Sequence, residues 1–155
     1  MIDSIHKIEN AVGEWCKNHY VSMARLALFV VYFWFGALKL IGMSPATLLV
    51  ESLFNKTLAF LMPFGLFYAL FSLFEILIGI LFLIRKAERI ALPLLAFHLI
   101  TTTMPLILLP GVVWQGFLAP TLEGQYIIKN ILIVACGVVV GTKMSSASSA
   151  HTSVK

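Results

Sequence analysis

Charged side chains are scarce in this sequence: Asp, Glu, Lys and Arg make up 12% of its 155 residues, whereas 60% are hydrophobic. Soluble globular domains carry about 25% charged and about 45–50% apolar residues, so the composition excludes an ordinary soluble protein. At roughly 20 to 25 residues for each crossing, the length admits four or five membrane helices in one domain and leaves no room for a separate soluble catalytic domain. The composition therefore predicts an all-α polytopic membrane protein.

Motifs for metals and covalent cofactors are also missing from the sequence. The two cysteines, Cys16 and Cys136, are far apart and form no C-x-x-C pair, which argues against a dithiol centre or a disulfide framework. His98 is the one histidine within an apolar run, so neither a haem nor a metal site is predicted. The basic residues fall in clusters that mark membrane topology, and we expect no nucleic-acid partner.

Four apolar segments predict a bundle of four membrane-spanning helices within residues 21–143. The segments are residues 21–42, 63–84, 90–109 and 125–142. Most of the Lys and Arg residues then share one side of the membrane. The positive-inside rule places that side, with both termini, in the cytoplasm, so we predict a multi-pass protein of the bacterial inner membrane.

The segments outside the four crossings differ in character. Residues 1–20 space their apolar side chains at intervals of three and four, which predicts an amphipathic helix lying in the membrane interface. The segment from Pro45 to Thr57 is predicted to form a short helix on the outer surface. Residues 110–124 are predicted to form an outer loop. The tail, residues 144–155, is rich in Ser and is expected to be disordered.

Two ionisable residues are predicted to meet near the middle of the membrane. Glu75 lies ten residues from Arg85, and His98 lies nine from Arg89. At about 1.5 Å per residue, both are roughly 14–15 Å from the cytoplasmic edge. A carboxylate at that depth costs about 2.5 kcal/mol or more, so Glu75 requires a partner or a function. We predict that Glu75 and His98 form a catalytic, proton-handling pair.

The outer half of the bundle is predicted to bind a ligand. Lys39 and Lys129 are each fourteen residues from a cytoplasmic basic residue, which puts both at about 21 Å, where two cations favour an anion. Pro105 should kink the third helix and help to open a polar cavity toward the outer side. The other candidate ligand-binding residues lie on the same helix faces: Tyr32, Tyr68, Thr101, Thr102 and Gln125.

Simpler interpretations remain open at this point. Glu75 could pair with His98 or with a lysine only to fix helix packing. Lys39 and Lys129 could extend to water. The tyrosines and phenylalanines could serve packing rather than a quinone pocket.

Three segments resemble the DoxX-like family of small four-helix membrane proteins. They are YFWFGALKL at 32–40, EILIGILFL at 75–83 and GQYIIKN at 124–130. The matched positions are Gly36, Lys39, Glu75, Gly79 and Lys129, and the likeness covers nearly all of residues 21–142. The resemblance implies quinone-linked redox chemistry, since one branch is a subunit of thiosulfate:quinone oxidoreductase and others are tied to oxidative-stress responses. More distant relatives act as assembly chaperones or cargo receptors.

Our leading hypothesis is a redox-associated subunit that holds no cofactor of its own and binds a quinone head group or a small anion in its cavity. If the chain is catalytic, it acts as part of a quinone-linked oxidoreductase. A second hypothesis is a structural or assembly subunit of a larger membrane complex, with the amphipathic start and Trp15 as the docking surface for a fixed protein partner. A homo-oligomer in the membrane also remains open. A third is a small-solute or proton transporter, although no inverted repeat is visible.

Overall fold

The computed structural model describes residues 2–84 and 86–152, with side chains described for residues 4–84 and 86–142. The chain is 81% helical. Four helical stretches are long and apolar enough to cross a membrane: Ser4–Leu40, Phe64–Leu83, Glu88–Leu108 and Leu122–Thr142. The prediction of an all-α chain with four such helices is confirmed.

The elements follow one another along the chain with short connections. The longer helices are α1 (Ile2–Leu40), α2 (Thr47–Thr57), α3 (Phe64–Leu83), α4 (Glu88–Thr103) and α8 (Asn130–Thr152). The shorter helices are α5 (Pro105–Leu108), α6 (Pro110–Val113) and α7 (Leu122–Ile128). Strands β1 (Trp114–Gly116) and β2 (Ala119–Pro120) pair antiparallel as a small hairpin between α6 and α7.

Helices α1 and α3 pack closely because glycines lie at their contact. A Cβ on Gly36 would be 2.9 Å from the carbonyl oxygen of Ser72, and a Cβ on Gly79 would be 2.9 Å from the backbone nitrogen of Phe33. Small residues at such crossings let helix backbones approach one another within a membrane. The core beside this contact consists of the buried residues Ala24, Leu28, Tyr32, Ile78, Phe82, Ala91, Leu95 and Val140.

The start of the chain differs from the prediction of a separate interfacial helix over residues 1–20. Helix α1 runs without a break from Ile2 to Leu40. The stretch NHYVS at residues 18–22 contains neither Pro nor Gly, so nothing there ends the helix. Residues 4–20 are almost all exposed, whereas Val21 and Leu28 are buried, so the first part of α1 projects beyond the bundle.

The third crossing, predicted as residues 90–109, is divided into α4 and α5. Pro105 has no N–H to donate to the carbonyl of Thr101, and the backbone nitrogen of Met104 donates to that carbonyl instead, at 3.3 Å. The fourth crossing is similarly divided into α7 and α8, with a turn at Lys129. Thr121 caps the start of α7, because its hydroxyl oxygen accepts a hydrogen bond from the backbone N–H of Gly124 at 3.2 Å.

The end of the chain also differs from the sequence-based prediction. Disorder was predicted for residues 144–155, but α8 continues through Thr152. The stretch from 144 to 152 contains no Pro or Gly, and Ser and Ala permit a helix that has already begun to continue. The last three residues of the predicted tail lie outside the described part of the chain.

Candidate functional site

Four side chains from three helices form one hydrogen-bonded chain inside the bundle. Lys39 of α1 donates from its Nζ to Oε2 of Glu75 on α3, at 2.5 Å. The other carboxylate oxygen of Glu75 is 3.0 Å from Nε2 of His98 on α4. Nδ1 of His98 is 3.1 Å from the hydroxyl of Tyr32, which brings the chain back to α1. We call this set, Lys39, Glu75, His98 and Tyr32, the polar chain.

The polar chain is enclosed by the protein. The exposed fractions are 3% for Tyr32, 7% for Lys39, 5% for Glu75 and 6% for His98. Every ionisable group in it contacts a partner within the set, as buried charged groups require. The site is therefore a closed, mutually satisfied cluster rather than the polar cavity that the sequence predicted.

Local helix geometry explains why these groups meet. Tyr32, Gly36 and Lys39 are spaced by four and three residues, so they share one face of α1. Glu75 and Gly79 share a face of α3 in the same way. The two glycines draw the helix backbones together, which brings the Lys39 ammonium within reach of the Glu75 carboxylate.

Aromatic rings surround the imidazole of His98. The Phe71 ring stacks on it with centroids 5.3 Å apart and an angle of 13° between the planes. The Tyr32 ring meets it edge-on at 5.0 Å. The ammonium of Lys39 lies 5.6 Å from the centroid of Phe71, within the range of a cation–π interaction. These rings exclude water from one side of the charged groups, and a low local dielectric strengthens the electrostatic interactions between them.

The hydrogen-bond pattern assigns a tautomer to His98. The carboxylate of Glu75 only accepts hydrogen bonds, so Nε2 of His98 carries a proton and is the hydrogen-bond donor. In a neutral imidazole Nδ1 then accepts from the Tyr32 hydroxyl. A second proton on Nδ1 would reverse only that last bond, because the Tyr32 oxygen can also accept. The polar chain can thus hold one additional proton without losing a hydrogen bond.

The structure does not place Lys129 with Lys39. Lys129 is exposed and lies over the ring of Tyr126, 5.3 Å from its centroid. Gln125, on the preceding turn, is exposed as well. The two lysines therefore differ in burial and in partner, because counting residues gives height along a helix but not direction around it.

The other predicted ligand-binding residues take up local structural contacts. The hydroxyl of Tyr68 is 2.8 Å from that of Thr47, which joins α3 to α2. Thr101 and Thr102 donate from their hydroxyls to the carbonyl oxygen of His98, at 2.8 and 3.0 Å. These threonines therefore support the backbone that carries His98.

A groove of about 270 Å³ lies between α4–α5 and α7–α8, and it is mainly apolar. Leu99, Ile127 and Ile131 are among the residues that line it. None of the four residues of the polar chain borders this groove. It is thus separate from the candidate site.

Arg25 forms a second polar contact, although it was not among the predicted site residues. Its Nε donates to the carbonyl oxygen of Phe82 at 2.7 Å, and its guanidinium pairs with the carboxylate of Glu88. Arg25 therefore joins α1 to the end of α3 and the start of α4. The signal was available, because Arg25, Tyr32 and Lys39 are seven residues apart and share a helix face.

Comparisons with protein-family models, with curated proteins and with solved structures find no match to this chain. Within the described residues, no group of three or more His, Cys, Asp and Glu side chains is arranged to hold a metal ion. The function must therefore be argued from the polar chain and the four apolar helices.

Proposed function

We propose that the chain is a DoxX-like, multi-pass protein of the bacterial inner membrane, and that its polar chain holds and passes a proton in quinone-linked redox chemistry. Both termini would lie in the cytoplasm, since most Lys and Arg residues fall on that side of the four apolar helices. The resemblance of segments 32–40, 75–83 and 124–130 supports the family assignment.

The observation that carries the proposal is the unbroken series of hydrogen bonds from Lys39 to Tyr32. Ionisable residues within membrane helices are costly, and they commonly mark ion and proton pathways. Tyr32 and Lys39 are seven residues apart, so the series joins two backbone positions about 10 Å apart along α1. His98 can gain a proton on Nδ1 and release one from Nε2, which is the behaviour that a relay requires.

The residues only partly fit a bound quinone. Tyr32, Lys39 and His98 are suitable hydrogen-bond donors for a quinone carbonyl oxygen. All three already contact one another or Glu75, so a quinone ring would have to displace one of these contacts. We therefore assign the polar chain to proton transfer alone, with electrons supplied by a partner protein and the quinone bound outside the site.

The proposal is tested by quinone reduction in inner membranes. Thiosulfate is the electron donor, decylubiquinone the acceptor, and the rate is compared with and without the chain. Complementation with the wild type should restore the rate, whereas Glu75→Gln should lower it at least about tenfold, since general acid–base groups typically contribute factors of about 10²–10⁴. Glu123→Gln is the matched control, because Glu123 is exposed and lies outside the polar chain.

A rate that does not depend on the chain, or that is the same in Glu75→Gln and in the control, would reject the redox assignment. The role of a structural or assembly subunit would then take its place. The closed packing of the polar chain favours that second role. A buried and fully paired cluster is able to fix the register of three helices without taking part in any chemistry. It predicts loss of stability in Glu75→Gln together with unchanged rates in whatever variant protein remains folded.

A further inference from the structure

The first part of α1 carries an apolar stripe that no described residue of the chain covers. Ile5, Ile8, Val12 and Trp15 recur at intervals of three, four and three residues, and they are 51% to 65% exposed. At 3.6 residues per turn they share one face of the helix. We call these four residues the α1 stripe. Exposed apolar surfaces of this kind mark interaction sites.

The same face of α1 remains exposed further along the helix. At about 100° per residue, Leu26, Val30 and Phe33 fall within the same arc of roughly 80° as the α1 stripe. Their exposed fractions are 55%, 49% and 38%. The opposite face of the helix, with Leu28 and Tyr32, is buried in the bundle. This second section lies in the segment predicted to cross the membrane, where lipid covers apolar side chains as well as a partner helix does. The exposed apolar face thus continues in line from the α1 stripe, over about 40 Å in all.

The charges beside the α1 stripe do not favour a lipid surface as its cover. Helices that lie on membranes have polar faces rich in Lys and Arg. Here Lys7 and Lys17 are balanced by Glu9 and Glu14. In addition, an unbroken α1 carries Ile5 about 24 Å beyond the start of the buried section at residue 21, which is away from the lipid.

We propose that the α1 stripe packs against the same stripe of a second copy of this chain, with the two α1 helices parallel. Copies inserted in one orientation present this segment on the same side of the membrane, and a two-fold axis places identical faces together. In that arrangement Ser4 flanks Glu9 of the second copy, and Ala11 flanks Cys16. No pair of like charges meets at the seam. The proposal is independent of the redox assignment.

Cysteine cross-linking of the full-length chain in native membranes tests this pairing. In a background of Cys16→Ser and Cys136→Ser, single cysteines are introduced as Ile8→Cys within the stripe and as Asn10→Cys on the opposite face. Both positions are exposed in the single chain, so they are matched in access. We expect disulfide-linked dimers from Ile8→Cys at a yield at least about tenfold higher than from Asn10→Cys.

Equal yields at the two positions would overturn the proposal. So would a cysteine at residue 8 that forms no dimer and also fails to react with a water-soluble maleimide, since lipid would then cover the stripe. Loss of the cross-link in liposomes that contain only the purified protein would also overturn the proposal. The cross-linked species in the native membrane would then contain a different partner protein.

Energy transfer between labelled copies in liposomes provides a second test. Val12→Glu places a charge in the stripe without disturbing the bundle, and it should weaken association at least about tenfold. Ala11→Glu, one position away and outside the stripe, should have a smaller effect. Unchanged association in Val12→Glu would contradict the pairing.

Discussion

Replacing Glu75 with Gln should destabilise the protein strongly, because it removes the negative charge that neutralises Lys39. The two groups are 2.5 Å apart, and each side chain is 7% exposed, so water cannot replace the lost counter-ion. The substituted amide keeps the shape of the carboxylate, and it can face His98 either with its oxygen as an acceptor or with its NH2 group as a donor. The measured change in free energy of unfolding therefore reports mainly on the stranded ammonium.

The size of the effect follows from the burial of the pair. Removing one partner of a buried ion pair costs about 3–5 kcal/mol. We expect a value near the lower end, about 3 kcal/mol, because polar groups in the detergent-solubilised unfolded state find other partners. The double variant Lys39→Met with Glu75→Gln leaves no buried charge and should recover about half of that loss or more.

Reversible unfolding in mixed micelles, followed by circular dichroism as the fraction of dodecyl sulfate rises, measures these differences. Glu123→Gln is the control, since it removes an exposed acidic charge and should change the free energy of unfolding by no more than about 0.5 kcal/mol. The reasoning is refuted if Glu75→Gln is no less stable than this control. It is also refuted if the double variant is as unstable as the single one.

Three further substitutions test the contacts around the polar chain, each by the same unfolding measurement. Gly36→Ala should cost about 1–3 kcal/mol, because its Cβ would meet α3 at 2.9 Å, whereas Gly65→Ala, with open space around it, should be neutral or slightly stabilising; equal effects would contradict the close helix contact. Arg25→Lys keeps the charge but loses the hydrogen bond to a backbone carbonyl, so it should lower the free energy of unfolding by about 1–2 kcal/mol. Glu88→Gln should cost a similar amount, and the double variant should lose less than the sum of the two single losses, because both remove the same ion pair. Fully additive losses would argue against the pair. Tyr32→Phe preserves the ring and removes the hydroxyl, so about 1–2 kcal/mol should be lost, and no loss would mean that the hydroxyl does not bind the imidazole.

The sequence was sufficient to predict the four apolar helices and the contact between Glu75 and His98. Both depend on quantities that a sequence contains directly, namely hydropathy and a fixed rise per residue. The structure places these two side chains 3.0 Å apart, as the matched heights predicted. Their role in proton transfer stays a prediction.

The partner of Lys39 was harder to predict than its depth. Lys39 and Lys129 were given the same height, but only Lys39 faces the bundle. Choosing between them requires the rotation of α7 and α8 about their axes, which is set by packing against α4 and not by residue spacing. The long Lys39 side chain also extends back from its own depth to that of Glu75, which a count of backbone positions does not include.

The ends of the chain show a different limit of sequence patterns. An amphipathic segment followed by a membrane span can bend at the boundary or continue as one helix, and its spacing is the same in both cases. The absence of Pro and Gly near residue 20 was the available signal that α1 continues. A Ser-rich tail after a helix is similarly ambiguous, since composition alone does not stop a helix that has already begun.

The most direct test of the central claim is nitrogen NMR of His98 in a lipid bilayer. In a variant with His6, His19 and His151 replaced by Gln, the single remaining imidazole should be found in one neutral tautomer, with the proton on Nε2 and Nδ1 accepting from Tyr32. Glu75→Gln should weaken that preference and produce a mixture of tautomers. A freely exchanging imidazole in the wild type, or a spectrum that Glu75→Gln leaves unchanged, would contradict the account of a hydrogen-bonded chain from Lys39 to Tyr32.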